Sequence, residues 1–525
     1  MTARTLARAG LVVTAAFFLS RVLGWARLLV ITNIYGANAE LDAYFAAFRL
    51  PDAIFQLVAA GALSSALIPV LAGLFANGED ARAWRVVSTV LNVMLLILAA
   101  LAVAVAIWAP VIVPLVTPGF DLINTELTVR LTRIMLLSPI LLALGSVASS
   151  VLNARGRFAA AAIAPSLYNL AIIGGALLLS PFMGVEALAV GVVVGSLLHL
   201  AVQLPPLVRQ RFSLSFRIDL SDTAARQALL LMLPRAFGLG ASQITFVLNT
   251  SLATAIGVGA VTAYNVAFTI LQIPLGLIGV PLGVVLLPSM SRAVAAGNVR
   301  EFGRLIVRSL RLLLYVMVFF TIVGMVVRRQ VVAVLFGGGF DKRGIDLTAD
   351  TLLFLLIGLA AHSMIVVLAR AFYSGQDTRT PVIAAILSVG VNVAVSLTTV
   401  GALGLSGLAL GIAAGAWFEA SLLAVLLWQR TPGAGLESIV GPLITYVIGA
   451  ALSAAAALLV IRMIEPIVGL EPGRFVTFVE VVAATGAAGA VYILYSVLLR
   501  IPELPQTLGL LRSVARREPP ASATP

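Results

Sequence analysis

The chain has 525 residues, of which 61% are hydrophobic and only 11% charged, whereas about a quarter of the residues in a soluble domain are charged. This composition excludes a soluble domain and predicts an all-α polytopic membrane protein. The chain has no cysteine and only two histidines, so we expect no disulfide, no metal site and no cofactor. Membrane topology explains most of the net charge of +12, and we expect no nucleic-acid partner.

The first apolar segment follows Arg4 and Arg8 and could be mistaken for a cleaved signal peptide. No small-residue cleavage site follows it, and Arg21 and Arg27 interrupt the region where cleavage would fall. The sequence therefore predicts a retained first helix over residues 8–34.

Thirteen further membrane helices are predicted from hydropathy, with Pro, Gly and charge clusters as breaks. In chain order they are expected over 41–75, 85–116, 128–153, 159–181, 185–208, 224–256, 261–293, 303–334, 348–374, 380–400, 404–429, 439–464 and 475–499. Prolines and glycines in PLGLIGVPLGVVLLP (274–288) predict a bend in the eighth helix. Most arginines in the connecting segments lie on the side that holds both termini, which predicts cytoplasmic termini.

The chain also repeats itself. GVEALAVGVVVGS (184–196) resembles GLSGLALGIAAGA (404–416), with matching glycines at Gly184 and Gly404 and at two later positions. The repeat predicts an N-terminal six-helix bundle over 1–212 and a C-terminal bundle over 220–430, in the same orientation around a central cavity. An extra helix pair over 439–500 and a cytoplasmic tail over 501–525 stand outside this repeat.

Charged residues inside the predicted helices are the candidate functional groups, because charge is costly within a bilayer. Arg21 and Arg27 are separated by about 9 Å along the first helix and about 120° around it. Such groups should face a hydrated interior, and a cluster biased to positive charge indicates an anionic ligand. The planar guanidinium can hold phosphate oxygens in bidentate fashion. The candidate substrate-binding residues are Arg21, Arg27, Asp42, Arg49 and Arg235.

Each of these residues also has a structural alternative. Arg21, Arg27 and Arg49 could extend to the membrane interface or pair with Asp42. Arg235 follows a proline near a helix start, which favours a structural or headgroup contact.

Several motifs resemble those of the MurJ/MviN family of lipid II flippases, which belongs to the multidrug/oligosaccharidyl-lipid/polysaccharide exporter superfamily. The motifs are SRVLGWAR (20–27), LDAYFAAFRLPD (41–52), GALSSALIPVLAG (61–73), VLLPSMSRAVAAG (285–297) and RAFYSGQDTRTPV (370–382). The resemblance implies fourteen helices in a bacterial inner membrane. It also implies alternating-access transfer of lipid II, an undecaprenyl-diphosphate disaccharide-pentapeptide, from the cytoplasmic to the periplasmic leaflet for peptidoglycan synthesis.

By the same resemblance, Arg21 and Arg27 match arginines implicated in binding the diphosphate and sugar head, and Asp42 matches an acidic residue that opens the second helix. The sequence departs from the family pattern where charged residues are replaced. These positions are Phe55, Gln56, Ala60 and Thr269.

Other functions stay open at the level of sequence. The chain could export another polyprenyl-diphosphate oligosaccharide or act as a multidrug antiporter, although helices seven and eleven offer only Asn249 and Asn392 as cation ligands. A membrane-embedded glycosyltransferase would need acidic residues in an outer loop, where Asp341, Asp346 and Asp350 lie. A non-transporting scaffold is the remaining alternative. For a transporter, the expected partners are the glycolipid, the phospholipid bilayer and, in some mechanisms, a coupling ion.

Overall fold

The computed structural model describes residues 3–58, 62–210, 213–431, 436–468 and 473–516, and side chains within these ranges except at 3–12, 62–65, 233–242, 280, 284, 436–437, 467–468 and 510–516. All regular structure in these ranges is helical, which confirms the all-α prediction for them. The chain divides into two compact units. The first comprises Met1–Thr262 with Gly338–Phe340, and the second comprises Ala263–Gly337 with Asp341–Pro525.

The first unit is built from ten helices in chain order and the start of an eleventh. They are α1 (Ala3–Tyr35), α2 (Ala39–Val58), α3 (Ala62–Ala76), α4 (Asp80–Val116), α5 (Leu122–Met135), α6 (Leu137–Ala154), α7 (Phe158–Met183), α8 (Glu186–Ala201), α9 (Leu204–Val208), α10 (Thr223–Thr254) and α11 (Ala260–Ala295). Two apolar clusters hold this unit together. One joins α3, α4, α6 and α10 around Trp84 and Met94, and the other joins α1, α2, α5, α7 and α8 around Tyr44 and Met135.

The second unit continues α11 and adds eight helices. They are α12 (Val299–Phe336), α13 (Lys342–Ile357), α14 (Leu359–Ser374), α15 (Arg379–Leu403), α16 (Leu405–Arg430), α17 (Val440–Val468), α18 (Arg474–Leu498) and α19 (Glu503–Arg516), with a 3₁₀ turn at Leu436–Ile439. The helix pair α17 and α18 packs on α12 through small residues such as Ala457, Ala484 and Ala488, which let the helices approach closely.

The matching glycines of the repeat have matching structural roles. Gly184 and Gly404 both adopt positive φ, +59° and +56°, immediately before a helix, a conformation that disfavours residues with a side chain. A Cβ at Gly195 would lie 2.8 Å from the Tyr168 carbonyl oxygen, and one at Gly415 would lie 2.8 Å from that of Ser388. The repeat thus encodes the same turn and the same close helix contact in each unit.

Each of the fourteen predicted ranges contains helix, but several bounds differ. Within the range 41–75 the described residues form α2 and α3 on either side of residues 59–61, and 128–153 falls in α5 and α6. The range 348–374 holds α13 and α14, which meet at a 43° bend. A π turn at Leu275–Gly279 follows Pro274 in α11, as expected where proline removes a backbone donor.

Within the described residues, eleven helices are long and apolar enough to cross a membrane, or twelve if the bent pair α13–α14 forms one span. The helix α2 is not among them, because charged residues such as Asp42, Arg49 and Asp52 interrupt its apolar stretch. The chain is therefore a multi-pass membrane protein.

Candidate functional site

The two arginines of α1 have different surroundings. Arg21 is exposed, whereas Arg27 is partly buried and lines a cavity of about 320 Å³ within the first unit. Their separation around the helix axis accounts for this difference, since six residues make about 1.7 turns of an α-helix and leave the two side chains about 120° apart. Arg21 does not line this cavity, so the two residues predicted to act together point in different directions.

The cavity around Arg27 is formed by five helices, α1, α2, α6, α7 and α8. Its walls contain a guanidinium, a carboxylate, a phenol, an imidazole and two hydroxyls among apolar side chains. The lining residues are Arg27, Phe48, Pro51, Asp52, Phe55, Ser138, Leu142, Ser146, Pro165, Tyr168 and His199. Polar groups that converge in a pocket among apolar helices are typical of a ligand-binding site.

Asp52 is the main residue of this cavity that the sequence analysis did not single out. Its carboxylate interacts electrostatically with Arg49 and Arg27, and Gln56 Nε2 lies 3.5 Å from its Oδ1. One carboxylate between two guanidinium groups reduces the cost of keeping both charged but leaves an excess of one positive charge. The sequence spacing could have identified Asp52 as a site residue, because Asp52 follows Arg49 by three residues on α2 and so lies on the same helix face.

His199 also lines this cavity, and one of its ring nitrogens makes no hydrogen bond within the described part of the chain. This nitrogen is Nδ1, which is buried. The helix α8 is fixed nearby by Gln203, whose Oε1 accepts a 2.7 Å hydrogen bond from Ser149 Oγ on α6. The sequence analysis did not list His199 among the candidate site residues, but the structure places it in the cavity wall beside Arg27 and Asp52.

Arg49 on α2 is held in place by contacts with α10. Its Nε donates a 3.0 Å hydrogen bond to Thr250 Oγ1, and its guanidinium lies 5.4 Å from the centre of the Phe246 ring. Such a cation–π contact orients the planar group. Arg49 is therefore positioned by neighbouring side chains, and its role in binding substrate stays a prediction.

Asp42 joins α2 to the start of α11 in the first unit. Its side chain is 1% exposed, and its Oδ2 accepts a 2.6 Å hydrogen bond from the Gly259 amide. Its Oδ1 accepts hydrogen bonds from both the amide and the hydroxyl of Thr262, at 2.7 and 2.6 Å. A carboxylate at a helix N-terminus satisfies free amides and complements the helix dipole. In this conformation Asp42 fastens two helices together, and its contact with substrate stays a prediction.

Other predicted positions add less to the site. Arg235 lies in α10, but its side chain is outside the described residues, as is Ala60 altogether. Thr269 Oγ1 donates to the Asn265 carbonyl, and Phe55 contributes an apolar wall to the cavity. Among the described residues, no group of three or more His, Asp or Glu side chains is arranged to hold a metal ion.

Comparison with known proteins places the chain in a family. Residues 31–475 match the family described as "Lipid II flippase MurJ". The "Lipid II flippase MurJ" of Burkholderia cenocepacia is 35% identical over 81% of this chain and 84% of its own length. The "Probable lipid II flippase MurJ" of Rhizobium meliloti is 33% identical, with 83% of each chain covered.

Solved structures show the same fold. The structure titled "Lipid II flippase MurJ, inward closed conformation" has a TM-score of 0.78 and 21% identity, covering 93% of this chain and 99% of its own. An inward-facing multidrug resistance MATE family transporter of the MOP superfamily has a TM-score of 0.62 and 18% identity, covering 82% and 99%. The family match spans most of the sequence, and the chain belongs to the lipid II flippase MurJ family.

Proposed function

We propose that this protein is a flippase that moves lipid II from the cytoplasmic to the periplasmic leaflet of the bacterial inner membrane. The substrate carries a diphosphate and a polar saccharide-peptide head, which cannot cross hydrocarbon at an acceptable rate without a polar path. The flippase supplies that path for the head while the polyprenyl tail stays in lipid. The reaction is transport, and no covalent bond of the substrate changes.

The observation that carries this proposal is the position of Arg27. Its guanidinium lies in a polar cavity enclosed by five helices, where a permanent charge is costly unless it serves binding. The two positive charges of Arg27 and Arg49 exceed the single negative charge of Asp52. An anionic ligand would therefore best neutralise the site. A guanidinium also matches diphosphate oxygens geometrically. Ser138, Ser146 and Tyr168 add hydroxyls suited to a saccharide.

The membrane arrangement predicted from the sequence is part of this proposal. It comprises fourteen membrane helices, bundles over 1–212 and 220–430, an accessory pair over 439–500, and both termini in the cytoplasm. Alternating access would expose the head-binding residues to one leaflet and then to the other. The π turn at Leu275–Gly279 provides a local deviation from α geometry at which α11 can bend during such a change.

A related export function is the second candidate. The fold similarity to a MATE family transporter, with a TM-score of 0.62, favours a multidrug or oligosaccharide exporter among the alternatives. The excess positive charge around Arg27 argues against a cationic drug as the guest, because like charges repel within a cavity of low dielectric constant.

Complementation tests the proposal against these alternatives. A bacterium depleted of its own lipid II flippase should resume growth when this chain is expressed at normal abundance. Growth without rescue of cell-wall synthesis, or resistance to cationic drugs without rescue of growth, would favour the related exporters. Failure of rescue by a protein that is inserted and abundant would contradict the proposal.

A further inference from the structure

A second cavity lies at the beginning of α12, within the second unit and far along the sequence from the residues discussed above. It has a volume of about 360 Å³, is open on one side and is lined by α12, the 3₁₀ turn at Leu436–Ile439 and the terminal helix α19. Its lining residues are Arg300, Arg304, Val307, Arg308, Arg311, Ser438, Pro502, Glu503 and Gln506. Four of these nine residues are arginines, so the cavity is strongly basic.

The arginines form a stripe on one face of α12. At about 100° per residue, Arg300, Arg304, Arg308 and Arg311 fall within an arc of about 80°, and they extend about 16 Å along the helix. Every one of them lines the same cavity. The positive-inside rule explains arginines at this end of a membrane helix, but it does not explain their alignment on one face.

The acidic residues nearby neutralise only part of this charge. Arg304 pairs with Glu301 at 2.8 Å, and Arg311 pairs with the buried Glu503 at 2.8 Å. Within the described side chains, Arg300 and Arg308 pair with no carboxylate. Among the described side chains, the four arginines of the cavity therefore exceed the two paired carboxylates by two positive charges.

The terminal helix α19 forms one wall and is attached through the same arginines. Gln506 Oε1 accepts a 3.2 Å hydrogen bond from Arg308 Nε, and the Glu503 side chain is 4% exposed. These contacts fix α19 beside the beginning of α12. One wall of the cavity therefore comes from a part of the chain that is distant in sequence from α12.

We propose that this cavity binds the phosphate of an anionic phospholipid, such as phosphatidylglycerol, from the leaflet at this end of α12. Basic pockets between membrane helices recognise anionic headgroups, and arginine forks hold phosphate oxygens in pairs. The acyl chains of the lipid would lie along the apolar part of α12. The lipid would also tie α19 to the membrane, because both Arg308 and Gln506 line the cavity.

The test is a thermal-unfolding titration of the full-length purified protein in detergent. Phosphatidylglycerol should raise the unfolding midpoint in a saturable manner, whereas phosphatidylcholine and inorganic phosphate at equal concentrations should not. The double variant Arg304→Gln/Arg308→Gln should need at least about tenfold more phosphatidylglycerol for half of the effect, as expected for loss of charge-assisted hydrogen bonds. Arg329→Gln, at the other end of α12 in an exposed ion pair with Asp346, should respond like the wild type.

Equal responses of the double variant and the wild type would overturn the proposal. An equal effect of inorganic phosphate would also overturn it, because the site would then bind free anions and not lipid. If the double variant does not fold, native mass spectrometry of the single variant Arg304→Gln should show less retained phosphatidylglycerol than Arg329→Gln, and equal retention would count against the site. No lipid II is present in these assays, so their outcome is independent of flipping.

Discussion

Arg27 and its neighbours determine what the cavity of the first unit can accept. The guanidinium of Arg27 and the carboxylate of Asp52 line one cavity, and Arg49 lies within electrostatic reach of the same carboxylate. An anionic head can therefore bind without requiring any of these residues to change protonation. The hydroxyls of Ser138, Ser146 and Tyr168 can then select for a polyhydroxylated head.

The first prediction concerns Arg27. Replacing it with Ala removes charge-assisted hydrogen bonds worth about 1.5–3 kcal/mol each, which corresponds to roughly 10- to 100-fold weaker binding of the head. Arg27→Ala should therefore fail to support growth of flippase-depleted cells, and Arg27→Lys should rescue only partly because it keeps the charge but loses the fork. Arg226→Ala, which removes an exposed arginine in the first turn of α10, is the control and should support growth. Normal growth with Arg27→Ala at normal abundance would assign Arg27 a structural role.

A second prediction concerns Asp42, whose carboxylate accepts hydrogen bonds from Gly259 and Thr262. Asp42→Asn places an amide donor against backbone donors and removes the charge that faces the helix N-terminus, so the thermal unfolding midpoint should fall. Thr262→Ala loses only the hydroxyl bond and should lower the midpoint less. Asp346→Asn, in an exposed ion pair, is the matched control and should change it little. The opposite order of these three variants would refute this account of Asp42.

The sequence predicted part of this site because charges within apolar helices stand out. Arg27 and Arg49 were identified in this way, and they lie at or beside the cavity. Tyr168 and His199 were not predicted as site residues, since their place in the wall depends on the packing of α7 and α8 against α1 and α6. The sequence also could not show that the carboxylate of Asp42 accepts hydrogen bonds from backbone amides more than 200 residues away along the chain.

At the scale of elements, the segment RAFYSGQDTRTPV (370–382) has a physical explanation. It connects α14 to α15 by a turn in which Gln376 adopts a positive φ of +62°. Asp377 Oδ1 accepts hydrogen bonds from the Arg379 and Thr380 amides, both at 3.0 Å, and its Oδ2 accepts one from Arg430 at the end of α16. Asp377 thus satisfies the first amides of α15 and links this turn to the end of α16.

The third prediction concerns Asp377, because hydrogen bonds from the Thr380 hydroxyl and amide, together with Arg430, hold the pKa of its carboxyl well below the usual value. A carboxyl with a lowered folded-state pKa stabilises the protein fully above its unfolded pKa of about 3.9, and this contribution is lost as pH falls toward the folded value. Asp377→Asn should therefore lower the unfolding midpoint by the same amount at pH 5 and pH 8, with the difference from wild type shrinking below about pH 4. A difference that grows on acidification would refute this assignment.

Helix existence was predictable from hydropathy, but breaks within helices were less so. The bend between α13 and α14 occurs within the range 348–374, which was predicted as one helix. Its position depends on tertiary packing: a Cβ at Gly358, between α13 and α14, would lie 3.0 Å from the Ala413 Cα on α16. For α11 the sequence predicted a bend over 274–288, and the structure has a π turn at Leu275–Gly279 directly after Pro274, where proline removes a backbone donor.

For the whole molecule, the proposed direction of transport depends on topology. The fourth prediction is that reporter fusions at Gly78 and Asn298, in the turns before α4 and α12, report the cytoplasm. Fusions at Asn124 and Asp341, near the starts of α5 and α13, should report the periplasm. A reversed result at more than one of these sites would overturn the predicted helix orientation.

The central claim is that the chain transfers lipid II between leaflets, and leaflet accessibility tests it most directly. In cells depleted of their own flippase, an impermeant reagent that modifies only outward-facing lipid II would be applied with and without expression of this chain. The account predicts that expression restores the outward-facing fraction to that of undepleted cells, and that Arg27→Ala leaves it near the depleted level. An outward-facing fraction that stays at the depleted level despite normal insertion and abundance of the wild-type protein would contradict the account.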